Sequence, residues 1–150
     1  MFAENIKTNG LVTIELIGPD GEVKKVQKNN LILATGLAFI TSRIKENTTT
    51  PVSHMALGTG TAAALIGNDA LGSESARVAL DSSGIVTTTV ANDSIQYIAT
   101  FSAGTATGAI TEAGLFNTGV GAGILARVVF PVINKGTLDT LVITWKIIIS

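Results

Sequence analysis

The sequence predicts a mainly β protein: an antiparallel β-sandwich or barrel-like body with an N-terminal β-hairpin and one short helix. Three observations carry this. Two stretches alternate strictly between apolar and other residues: Ile95, Tyr97, Ala99, Phe101, and then Leu141, Ile143, Trp145, Ile147, Ile149. A period of two puts every second side chain on one face, as in a strand with one side in a core. Turn signals recur between such stretches, at Gly18-Pro19-Asp20-Gly21, Asp81-Ser82-Ser83-Gly84, Ala91-Asn92-Asp93-Ser94 and Asn134-Lys135-Gly136. Only one stretch, 34–46, shows helical spacing.

Taken in order, residues 11–17 are β-branched and apolar, with Val12, Ile14 and Leu16 on one face. Pro19 pre-sets a turn and Gly21 supplies positive φ, so 23–27 returns as the second strand of a hairpin. Lys24, Lys25 and Lys28 place that strand in solvent or at an edge. In the helix, Leu37, Ile40 and Ile44 form the apolar face and Thr35 is the expected N-cap. Asn47-Thr48-Thr49-Thr50-Pro51 ends it. Then come a short strand at 54–57, a small-residue loop to about 73, and strands at 75–80 and 85–90. The alternating strand 95–101 follows, then a loop at 104–108, a semi-regular stretch at 109–116 and a Gly-rich turn at 117–123. A strand at 124–132 has Pro131 near its end, at an edge or a bulge. Ile95, Tyr97, Phe101, Phe130, Ile143, Trp145 and Ile147 are the expected core. The whole chain, 1–150, reads as one domain: a hairpin-plus-helix element over 1–50, which is too short for a core of its own, joined to a β-sandwich body over 51–150.

Composition narrows the function. With no Cys, thiolate chemistry and disulfides are excluded, and a single His excludes a multi-His metal site. Lys+Arg number 10 and Asp+Glu 11, a net charge of −1, which argues against nucleic acid as partner. Charged residues are 14% of the chain, against about 25% in an average domain. Ala, Thr and Gly together supply 54 of the 150 residues, an apolar, weakly charged surface suited to burial against another copy or a partner. The first residues lack the apolar core of a signal peptide, and the apolar run 141–149 contains Lys146 and falls well short of the ~20 residues of a spanning helix, so no membrane is expected.

No catalytic set stands out. His54 adjoins Ser53, but neighbours along a strand point to opposite faces, so no triad-like bond is expected. Asp69, Glu74, Asp81, Asp93 and Asp139 are scattered through predicted turns. Glu112 differs, because it sits among Ala, Gly, Leu and Phe; if buried it needs a cationic partner, and Arg77 or Arg127 can supply one. Gly58-Thr59-Gly60 and Gly119-Val120-Gly121-Ala122-Gly123 lack the Lys-Ser/Thr of a phosphate loop and the strand-then-helix setting of a dinucleotide loop, so they read as turn glycines. Calcium-loop spacing is absent, and Asn47-Thr48-Thr49 and Asn92-Asp93-Ser94 are glycosylation sequons only in an exported chain. The aromatics do not interleave with Lys or Arg as a single-strand nucleic-acid platform would. No cofactor, metal or enzymatic activity is expected.

From Asn30 onward the chain resembles small virion proteins of tailed bacteriophages. The resemblance runs through N-L-I at 30–32, T-G at 35–36, S-R-I at 42–44 and S-H-M-A-L-G-T-G-T at 53–61. It continues in A-L-G-S-E at 70–74, A-R-V at 76–78 and Y-I-A-T-F at 97–101. The longest piece is A-G-T-A-T-G-A-I-T-E-A-G-L-F-N at 103–117, followed by L-A-R at 125–127, F-P-V-I-N-K-G at 130–136 and I-T-W at 143–145. It covers about four-fifths of the chain. The resemblance implies a structural protein of the virion, made in the bacterial cytoplasm, without an active site. Collagen-like, heptad and β-helical repeats are absent, which favours a compact capsid cement (decoration) protein over a fibre subunit. The expected partners are the major capsid protein, or a tail protein, and further copies of the chain. A tail, baseplate or fibre-associated protein is the alternative, and a carbohydrate- or receptor-binding β-module is the alternative of another class. The first ~30 residues carry least of the resemblance; they are expected to be specialised for the partner, so that loss of 1–28 leaves a soluble β-fold that no longer binds it.

Overall fold

The computed structural model describes residues 4–46 and 49–150. Among the described residues, ten strands and one helix follow one another: β1 Thr8–Ile17, β2 Val23–Asn29, β3 Leu31–Ile32, α1 Ala34–Lys45, β4 His54–Gly58, β5 Glu74–Ala79, β6 Ser82–Val86, β7 Ser94–Phe101, β8 Gly108–Phe116, β9 Ile124–Lys135 and β10 Thr140–Ile149. They form two five-stranded antiparallel sheets. Sheet A has the order β2-β1-β10-β7-β6 and sheet B the order β3-β9-β8-β4-β5. The sheets stack as a sandwich; they do not close on each other, so the barrel alternative is set aside.

The alternation in the sequence explains the core. From sheet A, Val12 and Ile14, Tyr97, Ala99 and Phe101, and Leu141, Ile143, Trp145 and Ile147 point inward. From sheet B they meet Met55, Leu57, Ile110, Ala113, Leu115, Val128 and Phe130. Trp145 has no exposed surface, and its indole N–H donates to Asn30 Oδ1 at 3.1 Å, which satisfies its one polar atom. Ile95 departs from expectation. It shares the inward face but is only half-buried, because it lies where sheet A runs out from under sheet B and faces an open groove.

The hairpin behaves as read at its turn. Gly21 takes φ 86°, its N–H donates to Gly18 O, and Asp20 Oδ1 accepts from Glu22 N. The strand it begins is not an appendage. β1 lies between β2 and β10, paired with β10 from Thr8↔Ile149 to Ile17↔Thr140. Removing 1–28 would take an interior strand out of sheet A and uncover Trp145, so the expectation that the rest folds alone is corrected.

Local readings shift in four other places. The helix cap is Leu33, with no side-chain capping bond; the Thr35 hydroxyl instead donates to Ile124 O at 2.6 Å, tying the helix to β9. The helix faces the protein through Gly36, Phe39 and Ile40, while Leu37 and Ile44 are exposed, since β9 packs against the Gly36 side. The strand expected at 85–90 is β6 at Ser82–Val86, and 87–93 folds into a loop around the Asp93 carboxylate, which accepts from Thr88 N, Thr89 N and Val90 N. The semi-regular stretch 109–116 is the strand β8, hidden from the alternation test because both its faces are buried from Glu112 onward. Pro131 lies in a bulge: between Ile110↔Ile133 and Glu112↔Val129, β8 advances two residues and β9 four. Asn47 and Thr48, at the expected end of the helix, lie outside the described residues.

Candidate functional site

A second apolar cluster sits on the outer face of sheet B: Leu33, Ala56, Leu71, Phe116 and Ile124. A sheet face is ordinarily left to water in a two-layer sandwich. Here the loop 59–73 folds back over it, its ends drawn together by Thr59 N donating to Ser73 O at 2.9 Å. At that length, with its ends closed, it is an Ω-shaped loop.

Glu112 holds the loop. Strand parity puts Glu112, Gly114 and Phe116 on the outer face, beneath the loop. Glu112 Oε1 accepts from Gly60 N and from Ser73 N, each at 2.8 Å, and Oε2 accepts from Gly72 N at 2.9 Å. Arg127, on the neighbouring β9, adds Nε at 3.0 Å and Nη2 at 2.8 Å to Oε2. Neither residue is exposed to any useful extent. Burial acts to raise the Glu112 carboxyl, but the hydrogen bonds from Ser73, Gly72, Arg127 and Gly60 outweigh it and hold the group below its ordinary value. The remaining donors of Arg127 run into the loop, to Asn68 Oδ1 at 3.0 Å and to the carbonyls of Ala62 and Ala63. A buried charge is tolerable when paired and fully hydrogen-bonded, and this pair is both.

The glycines are part of the cradle. A Cβ on Gly60 would stand 2.5 Å from Glu112 Oε1, and one on Gly58 2.6 Å from the same atom. Sequence reasoning read Gly58-Thr59-Gly60 as turn glycines; their function is close approach to a carboxylate. The available signal was a Gly-x-Gly at the start of a small-residue loop together with an isolated Glu in an apolar strand.

Of the two arginines considered for Glu112, Arg127 is the partner and Arg77 is not. Arg77, on β5, is engaged elsewhere: it pairs with Glu74 at 2.7 Å, donates to Thr118 O, and stacks over the Phe116 ring at 3.6 Å. It ties the turn after β8 to the sheet edge. Ser53 and His54 do hydrogen-bond, Oγ to Nδ1 at 2.8 Å, contrary to expectation, because Ser53 precedes β4 and is not bound by strand alternation. Sequence reasoning also missed Lys135, a buried lysine whose ammonium donates to Ser102 O and Asp139 O and whose affinity for its proton is lowered by burial, against the pull of Asp139.

What the Glu112 arrangement can do chemically follows from its saturation. Its carboxylate oxygens face three backbone N–H groups and a guanidinium, so they are engaged in holding backbone rather than turned toward a substrate. The outward product is a loop of fixed shape whose tip displays Leu65 and Ile66, 64% and 51% exposed. Asn68 clasps that tip, its Oδ1 accepting from Leu65 N, and Ile66 O accepts from Ala34 N at the start of α1.

A second feature is an open groove between α1 and the β6–β7 end of sheet A, about 440 Å³, lined by Phe39, Ile40, Ile44, Ile85, Ile95 and Tyr97 among others. Among the described residues, no three His, Asp or Glu side chains are grouped to hold a metal ion, and no helix is long and apolar enough to cross a membrane. The chain matches no protein-family model, no curated protein and no solved structure.

Proposed function

We propose that this protein is a structural component of a tailed-phage virion, a decoration protein that seats on the outer surface of the assembled head. The single observation that carries the reading is the clamped loop 59–73: a buried ion pair is spent on holding a small-residue, apolar-tipped surface, with Asp69 as its one charged residue, in one shape. A preformed contact surface loses little entropy on docking. Repetition over a symmetric shell makes weak contacts per copy sufficient. The resemblance of 103–117 and its flanking pieces to small phage virion proteins supports the same reading, and Glu112, Gly58 and Gly60 all fall within the resembling pieces. The carbohydrate-binding alternative needs an aromatic platform in solvent, whereas Trp145 and Tyr97 are buried.

The test is pelleting of the purified chain with heads prepared without it. The wild-type chain co-sediments with the heads. Leu65→Ser with Ile66→Ser, both on exposed positions, keeps the melting temperature and loses binding by at least about 10-fold, since burying two such side chains is worth about 3 kcal/mol or more. A wild-type chain that stays in the supernatant, or a double variant that binds unchanged, overturns the reading.

A further inference from the structure

The two edges of sheet A differ in kind. β2 carries Lys24, Lys25 and Lys28, so a second copy brought to that edge would meet like charge. β6 at the opposite edge carries no charge, and the uncharged run continues to Asn92. Among the described residues, nothing pairs with its outer side. A lysine, a proline and a bulge, three of the devices that blunt an edge, are missing from it, which leaves its five-residue length as the one restraint on pairing.

Its inner face is also uncovered. The register Ile85↔Ile95 and Ser83↔Tyr97 puts Ile85 on the side of sheet A that elsewhere packs into the core. Ile85 is nevertheless 70% exposed, because sheet B ends before reaching it and α1 crosses at a distance that leaves the groove open. Ile44, on the helix side of the groove, is 76% exposed. An inward-facing isoleucine beside an open apolar groove, on an unprotected edge, is a half-built interface.

We infer that β6 seats a second copy of this chain: two β6 strands pair antiparallel about a two-fold axis at Gly84, joining the two five-stranded sheets into one continuous sheet. Charge disfavours a second copy at the β2 edge and allows it at this one. Neutral β6 meets neutral β6 without repulsion, and the Asp81 side chains of the two copies fall at opposite ends of the paired strands. The axis suits Gly84, where an added Cβ would meet nothing within 4 Å and the backbone is open to approach. Ser83 then lies opposite the partner's Ile85, and each Ile85 covers apolar surface at the mouth of the other copy's groove. Such an interface is isologous and closes on itself, so it gives a dimer and not a fibre. The inference uses a surface separate from the loop 59–73 and does not depend on shell binding.

The experiment is sedimentation velocity on the full chain, with Ile85→Lys and, at the other edge, Val23→Lys. The wild type and Val23→Lys run as dimers at about 10 µM, and Ile85→Lys runs as a monomer, its dissociation constant raised at least about 10-fold. A monomeric wild type, or a dimer that Ile85→Lys spares, overturns the inference. If Ile85→Lys lowers the melting temperature, Gly84→Cys decides, since the chain has no other cysteine. A disulfide-linked dimer under mild oxidation supports the inference, and a free monomer overturns it. A dimer that does not pellet with heads sinks the decoration reading alone; a head-binding monomer sinks this one alone.

Discussion

Arg127 stands 2.8 Å from the Glu112 carboxylate across two adjacent strands, both side chains buried, and the loop 59–73 is bonded to both of them. The pair is diagonal in the sheet: Glu112 is registered with Val129, two residues along β9 from Arg127. Apart from the Asn68 side chain, its partners in the loop are backbone groups, so the loop's shape depends on the charge pair and, among the loop's own side chains, on Asn68.

Replacing Glu112 with Gln therefore costs more than one hydrogen bond. It leaves Arg127 buried without its counter-charge and places an amide NH2 against backbone N–H groups. The expected loss is about 3–5 kcal/mol of unfolding free energy, measured by urea titration. A change below about 1 kcal/mol, the scale of an exposed pair, would contradict the burial and saturation of the site.

Gly60→Ala attacks the same cradle from the other side. Its Cβ must displace the Glu112 carboxylate or the Gly72 backbone, 2.9 Å away. Destabilisation of about 1–3 kcal/mol is expected, as for overpacking, together with faster hydrogen exchange at Gly72 and Ser73. Exchange unchanged at those amides would contradict the contact.

Acid should weaken the protein through the same group. The folded-state affinity of Glu112 for a proton is lowered, so the folded chain binds fewer protons than the unfolded chain near the unfolded value of about 4.3. Its contribution is therefore complete above that pH and is lost as pH falls further, through the lowered folded-state value. Asp93, held low by the Val90 amide, the Ser94 hydroxyl and the amides of Thr88 and Thr89, acts with the same sign. Melting temperature measured from pH 7 down to 3 should fall in wild type and fall less steeply in Glu112→Gln. Parallel curves would contradict the account.

Trp145→Ala should cost about 3–5 kcal/mol, the usual loss for a buried aromatic, and should also leave Asn30 without its indole donor. Unfolding by guanidinium gives the value directly. An unchanged midpoint would contradict the placement of β10 at the centre of sheet A.

How much of this was legible follows from how many faces of a strand are buried. β10 and β7 bury one face, so their period of two was plain in Tyr97, Phe101, Ile143 and Trp145. β8 is covered on both faces by the core and by the loop, so Glu112, Gly114 and Phe116 sit where alternation would place solvent-facing residues and the strand read as irregular. The need of Glu112 for an arginine was legible from its apolar neighbours. Which arginine was not, because that is set by the β8–β9 register and by Phe116 occupying Arg77. The half-burial of Ile95 was equally hidden, since it depends on where sheet B stops.

The central claim is that this chain decorates a phage head, and the most direct measurement is its copy number in purified virions, quantified by mass spectrometry against the major capsid protein. The account predicts a ratio of the same order as the capsid protein. A ratio lower by an order of magnitude or more would move it to the tail or a single vertex, and absence from the particle would contradict the virion reading altogether.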